Sequence, residues 1–125
     1  MKCEAIFEIE YKYDLEVDAL FINVKNDYEY DTSIELNNEV ILDFDKNGNP
    51  VALEILSASN ILKTPKYSLK RINNIKMNVD INEKSIGLKL FLGVIIHNKE
   101  QIHSVNTFTS NDTGIPNIET EMATV

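Results

Sequence analysis

Apolar and polar residues alternate along much of this chain, which is typical of β-strands that bury one face. Two such runs cover residues 3–13 and 20–24. A loop at Asp14–Val17 would join them into an antiparallel hairpin with both apolar sets on one side. The predicted cross-strand pairs are Tyr11–Leu20, Ile9–Ile22 and Phe7–Val24. A slip of one residue would bury glutamates instead, so the pattern specifies the pairing.

The same reasoning predicts two further hairpins, with loops at Lys46–Asn49 and Asn82–Ser85. Their predicted pairs are Val40–Ile55, Leu42–Leu53 and Phe44–Val51 in the first, and Ile75–Leu92, Met77–Leu90, Val79–Leu88 and Ile81–Ile86 in the second. Residues 30–36 alternate in the same way, which predicts a middle strand between the first two hairpins. Together these segments predict a five-strand antiparallel meander over residues 3–62.

Helical signals are scarce and confined to one segment. Thr64–Pro65 has the form of an N-cap followed by proline at the first helical position, which predicts one short helical segment near residues 57–73. Strands resume after it, so residues 65–109 are expected to form this helix plus further strands packed on it. Residues 110–125 contain many loop-forming residues and predict a loop-like tail. The predicted fold class is α+β, mainly antiparallel β, a meander of hairpins with about eight strands.

Length and composition exclude several classes of protein. With 125 residues, of which 43% are hydrophobic and 26% charged, the chain is expected to form a single domain over residues 1–125. Its net charge of −8 disfavours binding to nucleic acids, which requires a basic surface. The single cysteine excludes an internal disulfide, and no apolar run is long enough to span a membrane. We therefore expect a cytoplasmic protein that binds neither nucleic acid nor membrane.

Three segments carry a resemblance to a known family: Tyr13–Ile22, Asp43–Asn49 and Leu53–Ser59. In this order they resemble the motifs of the prokaryotic family catalogued as domain of unknown function 2283. The resemblance covers roughly residues 3–62 and implies a small β-rich domain to which no activity is assigned. Some members resemble the antitoxin partners of small toxins, so the resemblance also implies an antitoxin-like role as an alternative function.

The acidic segment 43–54 matches the pattern of an EF-hand calcium loop. Its oxygen-bearing residues at ligand spacing include Asp43, Asp45, Asn47 and Glu54. A true EF-hand lies between two helices, whereas the residues on both sides of this segment alternate as strands. We therefore expect a hairpin turn here. Weak binding of a divalent cation such as calcium by these four residues is an alternative function, and no other cofactor is predicted.

No residue pattern predicts catalysis. Ser57 and Ser59 lack the G-x-S-x-G setting of a nucleophile. His97 and His103 lack a third ligand for zinc. Residues 90–96 are apolar at both parities, so we expect this strand to be covered on both faces, by the short helix or by a second molecule. The sequence thus favours a non-enzymatic interaction or assembly module that forms a homo-oligomer, with a protein partner as a further option.

Overall fold

The computed structural model describes the backbone of residues 3–124 and the side chains of residues 7–124. The described residues form nine strands and two four-residue helices. The strands are β1 (Cys3–Asp14), β2 (Ala19–Val24), β3 (Tyr30–Asn37), β4 (Val40–Asp45), β5 (Pro50–Ile55), β6 (Asn74–Ile81), β7 (Ser85–Ile96), β8 (Lys99–Ser110) and β9 (Ile118–Ala123). The helices are α1 (Ala58–Ile61) and α2 (Lys66–Leu69). No helix in this part of the chain is long and apolar enough to cross a membrane.

The nine described strands belong to one sheet, in the order β3-β4-β5-β2-β1-β9-β6-β7-β8. Every neighbouring pair is antiparallel except β1 and β9, which run parallel. β1 joins the two halves of the sheet, because residues 3–8 pair with β9 and residues 9–14 pair with β2. The predicted class, mainly antiparallel β with little helix, is confirmed, with nine strands instead of eight.

The sheet curls, so that the inner faces of its two halves enclose one hydrophobic core. Alternate residues along most of the described strands supply this core, as the period of two requires. Its buried side chains include Leu20, Ile22, Leu42, Phe44 and Leu53 from one half and Val79, Ile86, Leu88, Leu90 and Leu92 from the other. The helical segment bridges the halves. The Tyr11 hydroxyl of β1 accepts the N–H of Ile72 at 3.0 Å, and Ser68 Oγ donates to a carbonyl of β7 at 3.2 Å.

Two of the predicted hairpins form with nearly the expected register. In the β6–β7 hairpin, all four predicted pairs are observed. In the β4–β5 hairpin, two of the three predicted pairs are observed. The third is wrong, because a register shift places Phe44 opposite Pro50 instead of Val51. A β-bulge of this kind adds a residue to one strand and cannot be read from alternation alone.

The β1–β2 hairpin also forms, but its register differs from the prediction by two residues. Ile9 lies opposite Val24, so both apolar faces remain on the same side. The loop occupies Leu15–Asp18, one residue later than the predicted Asp14–Val17. Its last residue, Asp18, has φ 54°, a left-handed conformation that aspartate adopts more readily than a β-branched residue.

The middle position predicted for the third strand is wrong. β3 pairs with β4 alone and forms one edge of the sheet, whereas β2 pairs with β5. The meander predicted over residues 3–62 therefore holds only for β3-β4-β5. Burial explains the difference, because β3 exposes Asp31, Ser33 and Glu35 and fully buries Leu36 alone. A strand that is largely exposed and polar suits an edge position.

The loop-like tail predicted for residues 110–125 is also wrong. Residues 118–123 form β9, a central strand between β1 and β6. Its alternation is short, and a polar residue, Thr120, occupies one of its fully buried positions. The segment therefore has the composition of a polar loop, although it behaves as a core strand. Residue 125 lies outside the described residues.

The helical prediction is correct in place but not in detail. Two single turns, α1 and α2, replace the one segment predicted near residues 57–73. Pro65 is the N-cap of α2 instead of its first helical residue, and Thr64 lies outside the helix. Neither helix covers the outer face of β7, where Phe91 and Ile95 are exposed. The short helix is therefore not the cover of this outer face, and the alternative, a second molecule, stays a prediction.

Candidate functional site

A network of short hydrogen bonds joins the first loop to the start of α1. Asp18 Oδ1 accepts hydrogen bonds from the Tyr13 hydroxyl at 2.6 Å and from the Ser59 N–H at 3.0 Å. Asp18 Oδ2 accepts a third hydrogen bond from Ser59 Oγ at 2.6 Å. The backbone carbonyl of Asp18 also accepts the N–H of Ala58 at 2.8 Å. We name these four residues (Tyr13, Asp18, Ala58 and Ser59) the Asp18 clasp.

Left-handed backbone conformations on both sides shape the clasp. Asp18 has φ 54° and Ser57 has φ 50°. Such values are uncommon outside glycine, and short polar side chains that bond locally adopt them more readily than others. Two of the segments that resemble the known family, Tyr13–Ile22 and Leu53–Ser59, supply all four clasp residues. The fold therefore brings these two motifs together, and each holds the other in place.

The electrostatics of the clasp fix the protonation of its two titratable groups. Burial disfavours the charged form of the Asp18 carboxylate. Hydrogen bonds from Ser59 and Tyr13 outweigh this and hold the pKa of Asp18 below its usual value, with a smaller contribution from the charge of Lys66. Burial, followed by the hydrogen bond to Asp18, raises the pKa of Tyr13 well above its ordinary value. At neutral pH the clasp thus joins an ionised acceptor to neutral donors, which suits a structural link.

The structure divides the four predicted metal ligands into two pairs. Asp43 and Glu54 lie on the outer face of β4 and β5, where they line one shallow depression beside the ring of Phe21. Asp45 and Asn47 line a different depression, at the turn between these strands. The predicted set of four is therefore not brought together around one point.

Hydrogen bonds from the turn of the hairpin and from β3 already engage two of the predicted carboxylates. Asp45 Oδ1 accepts the N–H groups of Asn47 and Asn49, both at 2.9 Å. Asp43 Oδ1 accepts a hydrogen bond from Ser33 Oγ at 2.6 Å. Among the described residues, no group of three or more His, Cys, Asp or Glu side chains is arranged to hold a metal ion. The predicted hairpin is present in place of an EF-hand, and cation binding stays a prediction.

An exposed apolar surface lies on the outer face of β7 and β8. Phe91 and Ile95 are 43% and 44% exposed. Ile102 lies opposite Gly93, between these two, and is 71% exposed. We name Phe91, Ile95 and Ile102 the outer cluster. The pattern of the last strand does not fix its register, so sequence reasoning missed Ile102 as well as Phe108, which is exposed further along the same face.

Comparison with known proteins identifies relatives of this chain. The profile of the family described as "Protein of unknown function (DUF2283)" matches residues 10–59. A Methanosarcina mazei protein named "Putative hypoxanthine phosphoribosyltransferase" is 30% identical over 107 residues, which cover 86% of this chain and 85% of that protein. An uncharacterised protein of Methanocaldococcus jannaschii is 32% identical over 97 residues, which cover 76% of this chain and 81% of that protein. No solved structure matches the chain.

The matched residues 10–59 contain residues 10–14 of β1, all of β2–β5 and the whole Asp18 clasp. Both relatives extend well beyond this region, because each aligns over more than three quarters of the chain. The similarity therefore includes part of the chain after residue 59 as well as the family motifs. The chain belongs to the family of proteins of unknown function DUF2283.

Proposed function

We propose that this protein is a non-enzymatic interaction module that associates with a second copy of itself through the outer cluster. The observation that carries the proposal is the exposure of Phe91, Ile95 and Ile102 on one face of two neighbouring strands. Exposed apolar patches larger than a few hundred square ångströms are uncommon on monomeric proteins and mark contact sites. The side chains of Glu100 and Asn74 lie over Gly93, so they form a polar part of this surface. Aromatic residues are also enriched at the centres of protein interfaces.

Burial of the outer cluster would offset much of the cost of association. Burying one large apolar side chain that was fully exposed contributes roughly 1.5–3 kcal/mol. Because each of these side chains is already partly covered, six of them from two copies contribute roughly 5–9 kcal/mol. The loss of translational and rotational freedom costs an estimated ~4–15 kcal/mol. The two ranges overlap, so burial of the outer cluster can offset most of this cost without a large surplus.

Charge opposes this association and makes it depend on salt. Each copy carries a net charge of −8, so two copies repel each other. The three residues of the outer cluster are themselves uncharged, and salt screens the repulsion with a Debye length of about 10 Å at 0.1 M. Raising the salt concentration is therefore expected to strengthen the dimer. Weakening by salt would indicate instead an interface held by ion pairs.

The proposal is tested by light scattering coupled to gel filtration at micromolar concentration. We expect wild-type protein to have a mass above that of the 14.3 kDa chain. The double variant Phe91→Ser/Ile95→Ser should have a lower mass than wild type. Phe21→Ser is the matched control, because Phe21 is 36% exposed on the opposite half of the sheet and should not change the mass. Wild-type protein that is monomeric under these conditions would overturn the proposal.

One relative carries the name of a phosphoribosyltransferase, and that name describes the relative. The proposal for this chain includes no transferase activity. The proposed association is supported by an exposed apolar surface. The Asp18 clasp is a polar network, but its hydrogen bonds link two segments of the chain to each other.

Weak binding of a divalent cation is a second candidate function. The observation that favours it is that Asp43 and Glu54 line the same depression on the outer face. Among the described residues Glu54 has no ion-pair partner. A bound cation would relieve the repulsion between the two carboxylates, with water completing its shell. Calorimetric titration of metal-free protein with calcium tests this candidate.

A further inference from the structure

The two edges of the sheet differ in how they are protected. β3, at one edge, has two register irregularities and exposes Asp31 and Glu35. Bulges and charged side chains are common means of preventing an edge from pairing with another strand. β8, at the other edge, pairs with β7 over twelve residues without an irregularity. A long, regular edge of this kind is a template for pairing with a further strand.

The hydrogen-bond pattern identifies which backbone groups of β8 face away from β7. The N–H of Asn111, just beyond β8, donates to the carbonyl of Lys84 at 3.0 Å in the same register as the hairpin. In an antiparallel pair, every second residue bonds to the neighbouring strand. Odd-numbered residues of β8 therefore bond to β7. Glu100, Ile102 and Ser104 direct their N–H and C=O groups towards the open edge.

One part of this edge lies close to β3, and the other part is open. Asn37 Nδ2 of β3 donates to Thr107 Oγ1 at 3.4 Å, so the two edges approach each other there. Within the described sheet, β7 is the strand that pairs with residues 99–105, and β3 does not reach them with a backbone hydrogen bond. The open stretch is centred on Ile102, which is also the most exposed member of the outer cluster.

We infer that the β8 strands of two copies pair antiparallel along residues 100–104 and join two sheets into one. A second copy is the partner that fits, because each copy presents the same regular, open stretch of β8, whereas the pairing of β3 is interrupted by two register irregularities. Pairing of an edge with itself is isologous and closes as a two-fold dimer. An axis at Ile102 sets Glu100 opposite Ser104 of the second copy and keeps the two glutamates apart.

Edge pairing goes beyond the proposed function, because it uses backbone groups and not the apolar face. It places the outer clusters of two copies side by side on one continuous surface. The outer clusters stay exposed to solvent in this joined sheet, so face association and edge pairing can occur together. The two contacts can therefore be disrupted separately, by side-chain changes on the face and by a backbone change at the edge.

The test is sedimentation equilibrium of the full chain carrying Phe91→Ser/Ile95→Ser, in which face association is removed. We expect this protein to be a dimer of twice the 14.3 kDa chain mass. Addition of Ser104→Pro should raise the dissociation constant by at least about tenfold, because proline has no N–H for the second copy while the bonds to β7 use other residues. Ser104→Ala keeps the N–H and is the matched control, which should remain dimeric.

A second variant and a second measurement keep the test decisive if Ser104→Pro folds poorly. Ile102→Lys retains every backbone group but sets two charges together at the axis, so it should also dissociate the dimer. Because Ile102 also belongs to the outer cluster, this effect is assigned to the edge only if the edge amides lose their protection with it. In hydrogen exchange, the amides of Ile102 and Ser104 should be protected in the dimer and become fast on dilution.

Each outcome separates edge pairing from face association. If the Phe91→Ser/Ile95→Ser protein is monomeric, or if Ser104→Pro and Ile102→Lys leave its mass unchanged, edge pairing is overturned. If that protein has the wild-type mass and dissociates only with the edge variants, face association is overturned instead. A monomeric wild-type protein would overturn both.

Discussion

Replacement of Asp18 by asparagine tests the clasp directly, because it removes the charge and keeps the shape. Asparagine also tolerates φ 54°, so the loop conformation should persist. In the wild type, three hydrogen bonds of 2.6–3.0 Å end on this carboxylate. Hydrogen bonds to charged groups contribute roughly 1.5–3 kcal/mol each, against roughly 0.5–1.5 kcal/mol for neutral ones. Since the clasp is only partly buried, we expect a loss of about 2 kcal/mol at neutral pH.

The loss should depend on pH with a definite sign. The pKa of Asp18 is lowered in the folded protein, so its charge contributes stability that is fully present above the unfolded pKa of about 3.9. This contribution disappears as the pH falls through the lower folded pKa. The difference in unfolding free energy between wild type and Asp18→Asn should therefore be constant from about pH 8 to pH 5 and shrink below about pH 4.

Urea unfolding followed by circular dichroism at several pH values measures this difference. Asp14→Asn is the control, because it removes the same charge just before the same loop. Among the described residues, Asp14 accepts one exposed side-chain hydrogen bond, from the Glu16 N–H at 3.0 Å. This substitution should cost less than about 0.5 kcal/mol. In a double-mutant cycle, Asp18→Asn and Ser59→Ala should be less than additive. The reasoning would be refuted if wild type and Asp18→Asn were equally stable at neutral pH, or if the difference in their free energies of unfolding did not change with pH.

Three further perturbations test the core, the faces of the sheet and the acidic hairpin. Thr120→Val should stabilise the protein by about 1 kcal/mol in urea unfolding, because the buried Thr120 Oγ1 has no hydrogen-bond partner among the described residues and valine has the same shape. A loss of stability would show that the hydroxyl is satisfied. Leu42→Asp should cost more than ~3 kcal/mol and Ile41→Asp much less, since Leu42 is fully buried and Ile41 lies on the outer face; equal costs would show that the faces are misassigned. Calcium should bind with a Kd on the order of 10⁻⁴ M or weaker, and Glu54→Gln should weaken it further; submicromolar binding in calorimetric titration would contradict this.

Pairing between neighbouring strands could be predicted from the sequence where alternation continues up to a short polar turn. The β6–β7 hairpin is the clearest case, because the turn at Asn82–Ser85 sets one register and a slip would bury polar side chains. The β1–β2 hairpin shows the limit of this reasoning. Moving its loop by one residue shifts the register by two, which leaves every apolar residue on the same face. Alternation alone therefore cannot distinguish these two registers.

Contacts between distant parts of the chain could not be predicted in the same way. Nothing in the composition of residues 118–123 indicates a central strand, because its burial comes from pairing with β1 and β6 and not from its own apolar content. The Asp18 clasp has the same origin. The family motifs contain Asp18 and Ser59, but these residues are 41 positions apart, and only the fold makes them hydrogen-bond partners. Only part of the outer cluster could be predicted from the sequence. Ile102 belongs to it because of the register between β7 and β8, and the sequence of β8 does not specify that register.

Because β9 lies between β1 and β6, the first and the last of the described strands are neighbours at the centre of the sheet. Cys3 pairs with Ile118, so this contact closes a loop of almost the whole chain. Contacts between such distant residues form slowly, since the entropy of closing the loop must be overcome first. During synthesis β1–β5 can pair as they emerge, whereas the edge of β6 stays without its neighbour until residues 118–123 have left the ribosome. We expect chains that end before residue 118 to expose this edge and to aggregate instead of folding.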